Sequence, residues 1–329
     1  MCSLVNGSLN DRNQTEITHF ILVGIGGPQS LKVPFCFIFL MLYFMTMSVN
    51  LLIIGLFLQG RLLNSPMYFF LSHLSLCDIM LSTSVVPNLL STLLTEGEAM
   101  MFSGCITQFL ATGATTAAEC YLLTAMSYDR YLAICNPLRY ISIMNNRLCA
   151  QLVMLSWLLS LLYCIIDITE IYDLDFCGCN VLDYIYCDIE PLLELSCKNT
   201  SNLQNTTMII SVPAALFPFL FILSTYIKIS ITIFRISSST GKQKAFSTCS
   251  SHLTVACTYF GILIAKYTVP SNSQSLNVNK AISLLYTAVT PVLNPMIYSF
   301  RNKEIRSAVT KWISIRTGMF MRRRILTNA

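Results

Sequence analysis

Charged residues are scarce in this 329-residue chain. They make up 11% of it, whereas hydrophobic residues make up 54%. A soluble domain carries about 25% charged residues, so this sequence cannot cover a globular surface with charge. The composition excludes an ordinary soluble domain and indicates a lipid bilayer as the solvent.

Signatures of common enzyme sites are also missing. The three histidines, His19, His73 and His252, lie far apart, and the sequence has neither a His-Glu-x-x-His zinc pair nor a Gly-x-x-x-x-Gly-Lys phosphate loop. A transporter would usually show helices broken by Gly or Pro at matching places in its two halves, and here the prolines do not match. The sequence predicts no enzyme, and it leaves a transporter as one alternative.

Long apolar runs recur along the chain. Each is long enough for a helix that crosses a bilayer, where backbone groups must be satisfied internally. The sequence therefore predicts an all-α membrane protein, a seven-transmembrane helix bundle with a short amphipathic helix at 303–315. The expected parts are an extracellular segment 1–32, a receptor domain 33–302 and a cytoplasmic helix and basic tail 303–329, with spans at 33–58, 66–94, 104–134, 148–168, 206–233, 247–269 and 279–300.

The distribution of basic residues predicts the orientation. With the N-terminus outside, sixteen of the 21 Lys and Arg residues lie on the inner side, in agreement with the positive-inside rule. The basic tail then needs no nucleic acid, because the anionic inner leaflet attracts it. All four Asn-x-Ser/Thr glycosylation sequons fall outside under the same orientation: Asn6, Asn13, Asn199 and Asn205.

Four segments carry a specific resemblance. Together they resemble the rhodopsin-like G-protein-coupled receptors and, within them, the odorant receptors, over residues 20–315. The resemblance implies a cell-membrane receptor for small, neutral, volatile ligands that activates a heterotrimeric stimulatory G protein and raises cyclic AMP. A chemoreceptor of this family used outside olfaction fits equally. The segments are 65–72 (SPMYFFLS), 126–140 (MSYDRYLAICNPLRY), 244–254 (KAFSTCSSHLT) and 291–302 (PVLNPMIYSFRN).

Two polar clusters at inner helix ends predict a switch. The adjacent Asp129 and Arg130 can pair and neutralise each other, and a proline such as Pro295 breaks a helical hydrogen-bond ladder whose freed groups an Asn can satisfy. Either feature alone would be plain structure. The resemblance implies that Arg130 leaves Asp129 on activation and lines a crevice for a G-protein helix, within a switch set of Asp129, Arg130, Tyr131, Tyr226, Asn294, Pro295 and Tyr298.

Asp78 and Glu119 are carboxylates in the membrane core. Each would cost about 2.5 to 3.5 kcal/mol if it faced lipid at mid-span. By resemblance Asp78 occupies the sodium position of rhodopsin-like receptors, so a Na⁺ held between the two acids is one expectation. The other is that one carboxyl is protonated and hydrogen-bonded. No other metal or cofactor is expected.

The outer loop before span five is rich in cysteine. By resemblance we expect a disulfide between Cys105 and Cys187 and a second between Cys177 and Cys197. Cys179 could compete with Cys177, because sequence alone does not fix connectivity.

The resemblance also places a ligand pocket in the outer half of the bundle. Thr112 stands where amine receptors carry an aspartate, so a neutral ligand with one oxygen function is expected. Lys266 could grip a carboxylate, although snorkelling or pairing with the acidic outer loop is favoured. About half of the implied contacts should be real: Thr112, Gly113, Thr116, Ile210, Ser211, Phe260, Leu263, Ile264, Tyr267, Leu284 and Thr287.

Overall fold

The computed structural model describes residues 18–59, 65–95, 97–176, 180–269 and 276–301, together with 307 and 310. Most of these residues are helical. In chain order the helices are α1 (Gln29–Leu58), α2 (Pro66–Leu94), α3 (Phe102–Cys135), α4 (Pro137–Ile143), α5 (Asn146–Tyr172), α6 (Ile189–Glu194), α7 (Ser201–Arg235), α8 (Ser239–Thr268), α9 (Leu276–Leu284) and α10 (Thr290–Arg301).

The seven predicted spans correspond to α1, α2, α3, α5, α7, α8 and a last, composite span. That span comprises α9, a π-helical segment at Leu285–Val289, and α10. Length and apolar composition alone qualify five described stretches to cross a membrane, in spans one, two, four, five and seven. Spans three and six are long enough but more polar. The expected amphipathic helix at 303–315 lies outside the described residues, apart from 307 and 310.

Span three is the centre of the bundle. It packs against α2, α5 and α7 and also contacts α8. Large apolar side chains such as Met41 and Phe217 are exposed on the bundle surface, whereas Asp78, Glu119 and Asp129 are buried inside it. This distribution reverses that of a soluble protein, as expected for a bundle whose solvent is lipid.

A three-stranded sheet covers the outer end of the bundle. Its strands are β1 (His19–Leu22), β2 (Glu98–Met101) and β3 (Val181–Leu182), in the order β2-β1-β3. β1 pairs antiparallel with β2 and parallel with β3. Residues 19–22, which belong to the segment 1–32 that the sequence placed only as an extracellular extension, are thus built into the outer cap.

Gly24 follows β1 with φ +72°, a conformation that favours glycine. A side chain there would also collide with Thr92. The carbonyl of Gly24 accepts a hydrogen bond from Lys280 Nζ at 2.9 Å, and the same ammonium pairs with Asp183 at 2.6 Å. One buried lysine thereby joins the N-terminal segment, the outer loop and span seven.

Span seven is irregular before its predicted hinge. The π-helical segment ends just ahead of Pro291, and Thr290 Oγ1 donates to the carbonyl of Leu285 at 3.0 Å. A proline lacks the N–H that would bond one turn back, so the local hydrogen-bond pattern shifts. Asn294 was expected to satisfy groups freed by Pro295, but its Nδ2 instead donates to Asp78 on span two at 3.1 Å.

Candidate functional site

A cavity of about 550 Å³ lies in the outer half of the bundle, within the range of small-molecule sites. Residues of α3, α5, α7, α8 and the last span form its walls, and the outer loop that contains α6 lies over it. Six of the eleven expected ligand contacts line it: Thr112, Gly113, Thr116, Ser211, Leu263 and Tyr267.

The other five expected contacts lie off the cavity. Successive helical residues point about 100° apart, so Ile210 and Ile264 turn away while their neighbours Ser211 and Leu263 face inward. Phe260 is buried against Phe219, with ring centroids 5.5 Å apart.

The remaining two expected ligand contacts, Thr287 and Leu284, lie on span seven. Thr287 is buried with its hydroxyl donating to the carbonyl of Ser283 at 2.8 Å, and Leu284 packs in the outer apolar core. Tyr286 faces the cavity instead.

Gly113 brings spans three and four together beside the cavity. A Cβ atom at this position would lie 3.0 Å from Cys164 Sγ on α5, tighter than normal van der Waals contact. The Thr112 hydroxyl donates to the carbonyl of Gln108 at 2.9 Å, so it can offer a ligand only its acceptor lone pairs. The lining residues that sequence analysis did not anticipate come from the outer loop, from spans three, four and five, and from Tyr286 on span seven.

A cluster of hydroxyls links three spans at the cavity. Thr116 Oγ1 makes a short hydrogen bond with Tyr286 Oη. Tyr259 Oη, on span six, donates to the carbonyl of Thr116 at 2.6 Å. Tyr259 therefore reaches the base of the pocket through the backbone of span three.

An ion pair joins the outer loop to span six. Lys266 Nζ lies 2.6 Å from Asp188 Oδ2 and donates to Tyr186 Oη at 2.9 Å. Burial alone would raise the pKa of Asp188, but the Lys266 ammonium and hydrogen bonds from Ile189 N–H and Tyr186 hold it below its ordinary value. The pairing of Lys266 with the acidic loop is the arrangement that the sequence favoured.

At the inner end, Arg130 is held by its neighbour. Its Nε and Nη2 donate to Asp129 Oδ2 at 3.0 and 2.6 Å, and Tyr140 Oη donates to Asp129 Oδ1 at 2.8 Å. The buried carboxylate thus has a complete set of partners, as a locked switch requires.

Tyr226 and Tyr298 of the switch set lie close enough to Arg130 to interact with its charge, but their hydroxyls do not bond to it in this arrangement. Tyr226 Oη lies 2.7 Å from His252 Nδ1, and His252 Nε2 lies 3.1 Å from the carbonyl of Leu123. Since a carbonyl only accepts, Nε2 carries the proton and Tyr226 donates to Nδ1. The buried hydroxyl of Tyr298 has no hydrogen-bond partner within the described chain. His252, to which sequence analysis gave no role, thereby connects spans three, five and six.

The two core acids differ in their bonding. Asp78 accepts from Asn294, whereas both oxygens of buried Glu119 lack a hydrogen-bond partner among the described residues. The two carboxylates are close enough to interact electrostatically. No group of three or more His, Cys, Asp or Glu side chains suited to a metal ion occurs in the described ranges.

Comparison with known proteins decides the family. The family model described as "Olfactory receptor" matches residues 35–316. The chain belongs to the olfactory receptor family. This receptor is 41% identical to olfactory receptor 5G25 of Mus musculus over 300 residues, which cover 91% of the chain and 94% of that protein. It is also 41% identical to olfactory receptor 11L1 of Homo sapiens over 314 residues, with 94% and 97% covered.

The fold and broad function of this receptor follow from its family. It is a seven-transmembrane, G-protein-coupled odorant receptor of the membrane, and its family is one of receptors rather than enzymes. The match extends through every described span, so the cavity at one end and the Asp129–Arg130 pair at the other belong to one receptor domain.

The expected disulfide between Cys105 and Cys187 is present in this receptor. It fixes the outer loop on the start of span three, next to Asp188. Cys197 is also disulfide-bonded, but its two candidate partners, Cys177 and Cys179, lie outside the described residues. Of the sequons, Asn199 and Asn205 are exposed, and Asn6 and Asn13 fall outside the described ranges.

Proposed function

We propose that this receptor binds a small volatile molecule in its outer cavity and activates a stimulatory G protein at its inner end, raising cyclic AMP. The observation that carries this proposal is the cavity of about 550 Å³ beneath the outer loop. Its mainly apolar wall and few polar groups suit one small ligand.

The route from cavity to switch runs through span seven. Tyr286 faces the cavity and bonds Thr116, and it lies in the π-helical segment. Two turns further inward, Asn294 bonds Asp78, while Asn50 Nδ2 donates to the carbonyl of Pro291 at 3.1 Å. A ligand that binds better to another arrangement of this segment shifts the population of the whole bundle.

In the active arrangement Arg130 leaves Asp129 and lines a crevice for a G-protein helix. The inner residues Arg139, Lys242 and Lys244 supply the surrounding basic surface. This assigns the ion pair seen at 2.6 Å to the resting receptor, and it makes the release of Arg130 the step that couples ligand to G protein. Tyr226 and Tyr298 then become its hydrogen-bonding partners.

We further propose a cell-membrane location with the N-terminus extracellular and the C-terminus cytoplasmic. The positive-inside count supports this orientation. The exposed Asn199 and Asn205 support it as well, since they precede or begin span five on the cavity side.

Asp78 and Glu119 fit a sodium ion, which would act as a negative allosteric ligand. The fit rests on the two unpartnered carboxylate oxygens of buried Glu119, since hard cations prefer oxygen ligands. When bound, the ion would offset the charge of both acids and favour the resting bundle. Replacing external Na⁺ by a large organic cation should raise basal cyclic AMP in the wild type and leave Glu119→Gln unchanged.

The coupling proposal is tested by cyclic AMP responses to an odorant panel. Arg130→Ala should abolish the response at unchanged surface expression, because Arg130 acts at the docking crevice. Arg147→Ala, an exposed arginine at the inner end of α5, is the matched control and should respond normally. Arg130→Ala that still raises cyclic AMP would sink the coupling role, and ligand uptake without nucleotide exchange on a G protein would favour a transporter.

A further inference from the structure

An acidic side chain in the cavity wall lacks a partner. Asp167 lies near the outer end of α5, more than one turn inside span four, and lines the cavity. Its Oδ1 is buried and has no hydrogen-bond partner among the described residues. An ionisable group inside a spanning helix indicates a functional site with a compensating partner, and the described side chains do not supply that partner.

The one ammonium in the described cavity lining is already used. Lys266 binds Asp188 and Tyr186, so it does not neutralise Asp167. The carboxylates of Asp188 and of Glu170, which lies one turn from Asp167 on α5, instead add negative potential at Asp167. A ligand carboxylate would meet this potential with no free cation to offset it.

The other carboxylates of the lining, Asp188, Glu190 and Glu194, are poorer anchors than Asp167, and Glu190 already has a partner of its own. Both oxygens of Asp188 accept hydrogen bonds, from Lys266, Tyr186 and the backbone of Ile189. Glu194 is exposed, so water screens its charge. Asp167 therefore combines a position on the cavity wall with an oxygen that is both buried and unsatisfied.

A second unsatisfied oxygen belongs to a cavity-lining residue of span five. Thr207 lines the cavity, and its buried Oγ1 has no hydrogen-bond partner in the described chain. An ammonium group carries three donors and no acceptor, so it is the ligand group that suits a wall with unpartnered acceptors. A ketone or ester carries only acceptors and would leave the Asp167 carboxylate buried and unpaired, which is costly.

We propose that this receptor recognises small amines, with Asp167 as the counter-ion of the ligand ammonium and Thr207 as its second acceptor. The apolar part of the ligand lies against Phe109, Leu263 and Tyr286, which line the same cavity. This inference rests on the outer cavity being the odorant site. It departs from the neutral ligand expected from Thr112, because the counter-ion is supplied by span four rather than span three.

The test compares matched ligands on the full-length receptor. The probes are primary alkylamines of about three to eight carbons, which fit a cavity of this size, with methyl ketones and carboxylates of equal length. Binding is measured as the rise in melting temperature of the purified receptor near pH 7, where alkylamines are charged, and activation is measured as cyclic AMP in cells.

The variants are Asp167→Asn and, as a matched control, Glu170→Gln. Glu170 is one turn further along α5 and also has a buried unpartnered oxygen, but it does not line the cavity. We expect amines to bind more tightly than matched ketones or carboxylates. Asp167→Asn should weaken amine binding about 10- to 100-fold, the loss of a charge-assisted hydrogen bond, and Glu170→Gln should leave it unchanged.

The outcomes separate this inference from the proposed function. Tighter binding of ketones or carboxylates, no binding of any amine, or equal losses in both variants would overturn the role of Asp167. If other compounds raise cyclic AMP and Asp167→Asn does not change those responses, the receptor function stands and the amine site is refuted. Asp167-dependent amine binding without any cyclic AMP response would support the amine site and refute the coupling.

Discussion

Removing the ammonium of Lys266 should destabilise the outer half of this receptor. Lys266→Met keeps much of the length of the side chain but leaves the Asp188 carboxylate without its cation. In the native receptor Nζ is 2.6 Å from Asp188 Oδ2 and 2.9 Å from Tyr186 Oη. The substitution therefore removes one ion pair and one further hydrogen bond.

The size of the loss in stability depends on the hydrogen bonds that Asp188 retains in the variant. Loss of one partner from a buried pair costs about 3 to 5 kcal/mol. The two side chains are 20% and 13% exposed, and Asp188 retains the donors Tyr186 and Ile189 N–H. We therefore expect a loss of about 2 to 4 kcal/mol in the free energy of unfolding. For a chain of this size that corresponds to a fall of roughly 3 to 6 °C in melting temperature.

The assay is thermal unfolding of the purified receptor in detergent without ligand. Lys266→Arg should recover much of the loss, and the double substitution Lys266→Met with Asp188→Asn should melt above Lys266→Met alone, because the unpaired charge is gone. Lys198→Met is the control, since exposed Lys198 donates to the carbonyl of Asp173 and its loss should change stability by less than about 0.5 kcal/mol. A single variant as stable as the wild type, or a double variant no better than the single, would refute the reasoning.

Three further predictions concern the same outer half. Cys105→Ser should lower the free energy of unfolding by about 2 to 4 kcal/mol and reduce surface expression, whereas replacing the free Cys36 should not; normal melting of Cys105→Ser would contradict this. Thr116→Val removes the contact with Tyr286, so the agonist concentration for half-maximal cyclic AMP should rise about 3- to 10-fold at equal surface level. The pKa of Asp188 is depressed in the folded receptor, so its ion pair is fully stabilising above the unfolded pKa of about 3.9 and is lost only as pH falls through the lower folded pKa. Melting temperatures should therefore show no Asp188-dependent change between about pH 5 and 8. An Asp188→Asn variant that alters the pH profile of melting temperature in this window would contradict this prediction.

Apolar runs located the spans well but not their outer ends. The second predicted run coincides with α2, which begins at Pro66, a residue suited to the first helical turn. The fifth predicted run starts at residue 206, whereas α7 starts at Ser201. The extra turn, Ser201 to Asn205, is mostly polar because it extends toward water, and a criterion of apolar composition cannot see it.

Local patterns could not reveal the outer cap or the irregular part of span seven. β1 pairs with residues about 80 and 160 positions away, and strands of two to four residues leave almost no period to detect. Proline in the span indicated a break, but the structure places a π-helical segment before Pro291 and continues the helix through Pro295. The choice depends on hydrogen bonds such as that from Thr290, which composition does not encode.

The cavity shows how helix phase limits residue-level inference. The cavity lies at the depth that was expected for the ligand pocket along spans three, five and six, since Thr116, Ser211 and Leu263 line it. An error of one residue rotates a side chain by about 100°, which is enough to exchange Thr287 for Tyr286. The loop residues over the cavity depend on the disulfide and the ion pair of Asp188, so they required the folded receptor.

Acids inside the spans carry the strongest functional information in this receptor. Four lie more than one turn inside a described spanning helix, and each would be costly if left unpaired. Asp129 and Asp78 have partners within the bundle, Arg130 and Asn294. Glu119 and Asp167 have buried oxygens with no such partner in the described chain. Protonation or a molecule or ion from outside must then offset their cost. We propose the outside source for both acids, an allosteric cation at Glu119 and the ligand ammonium at Asp167.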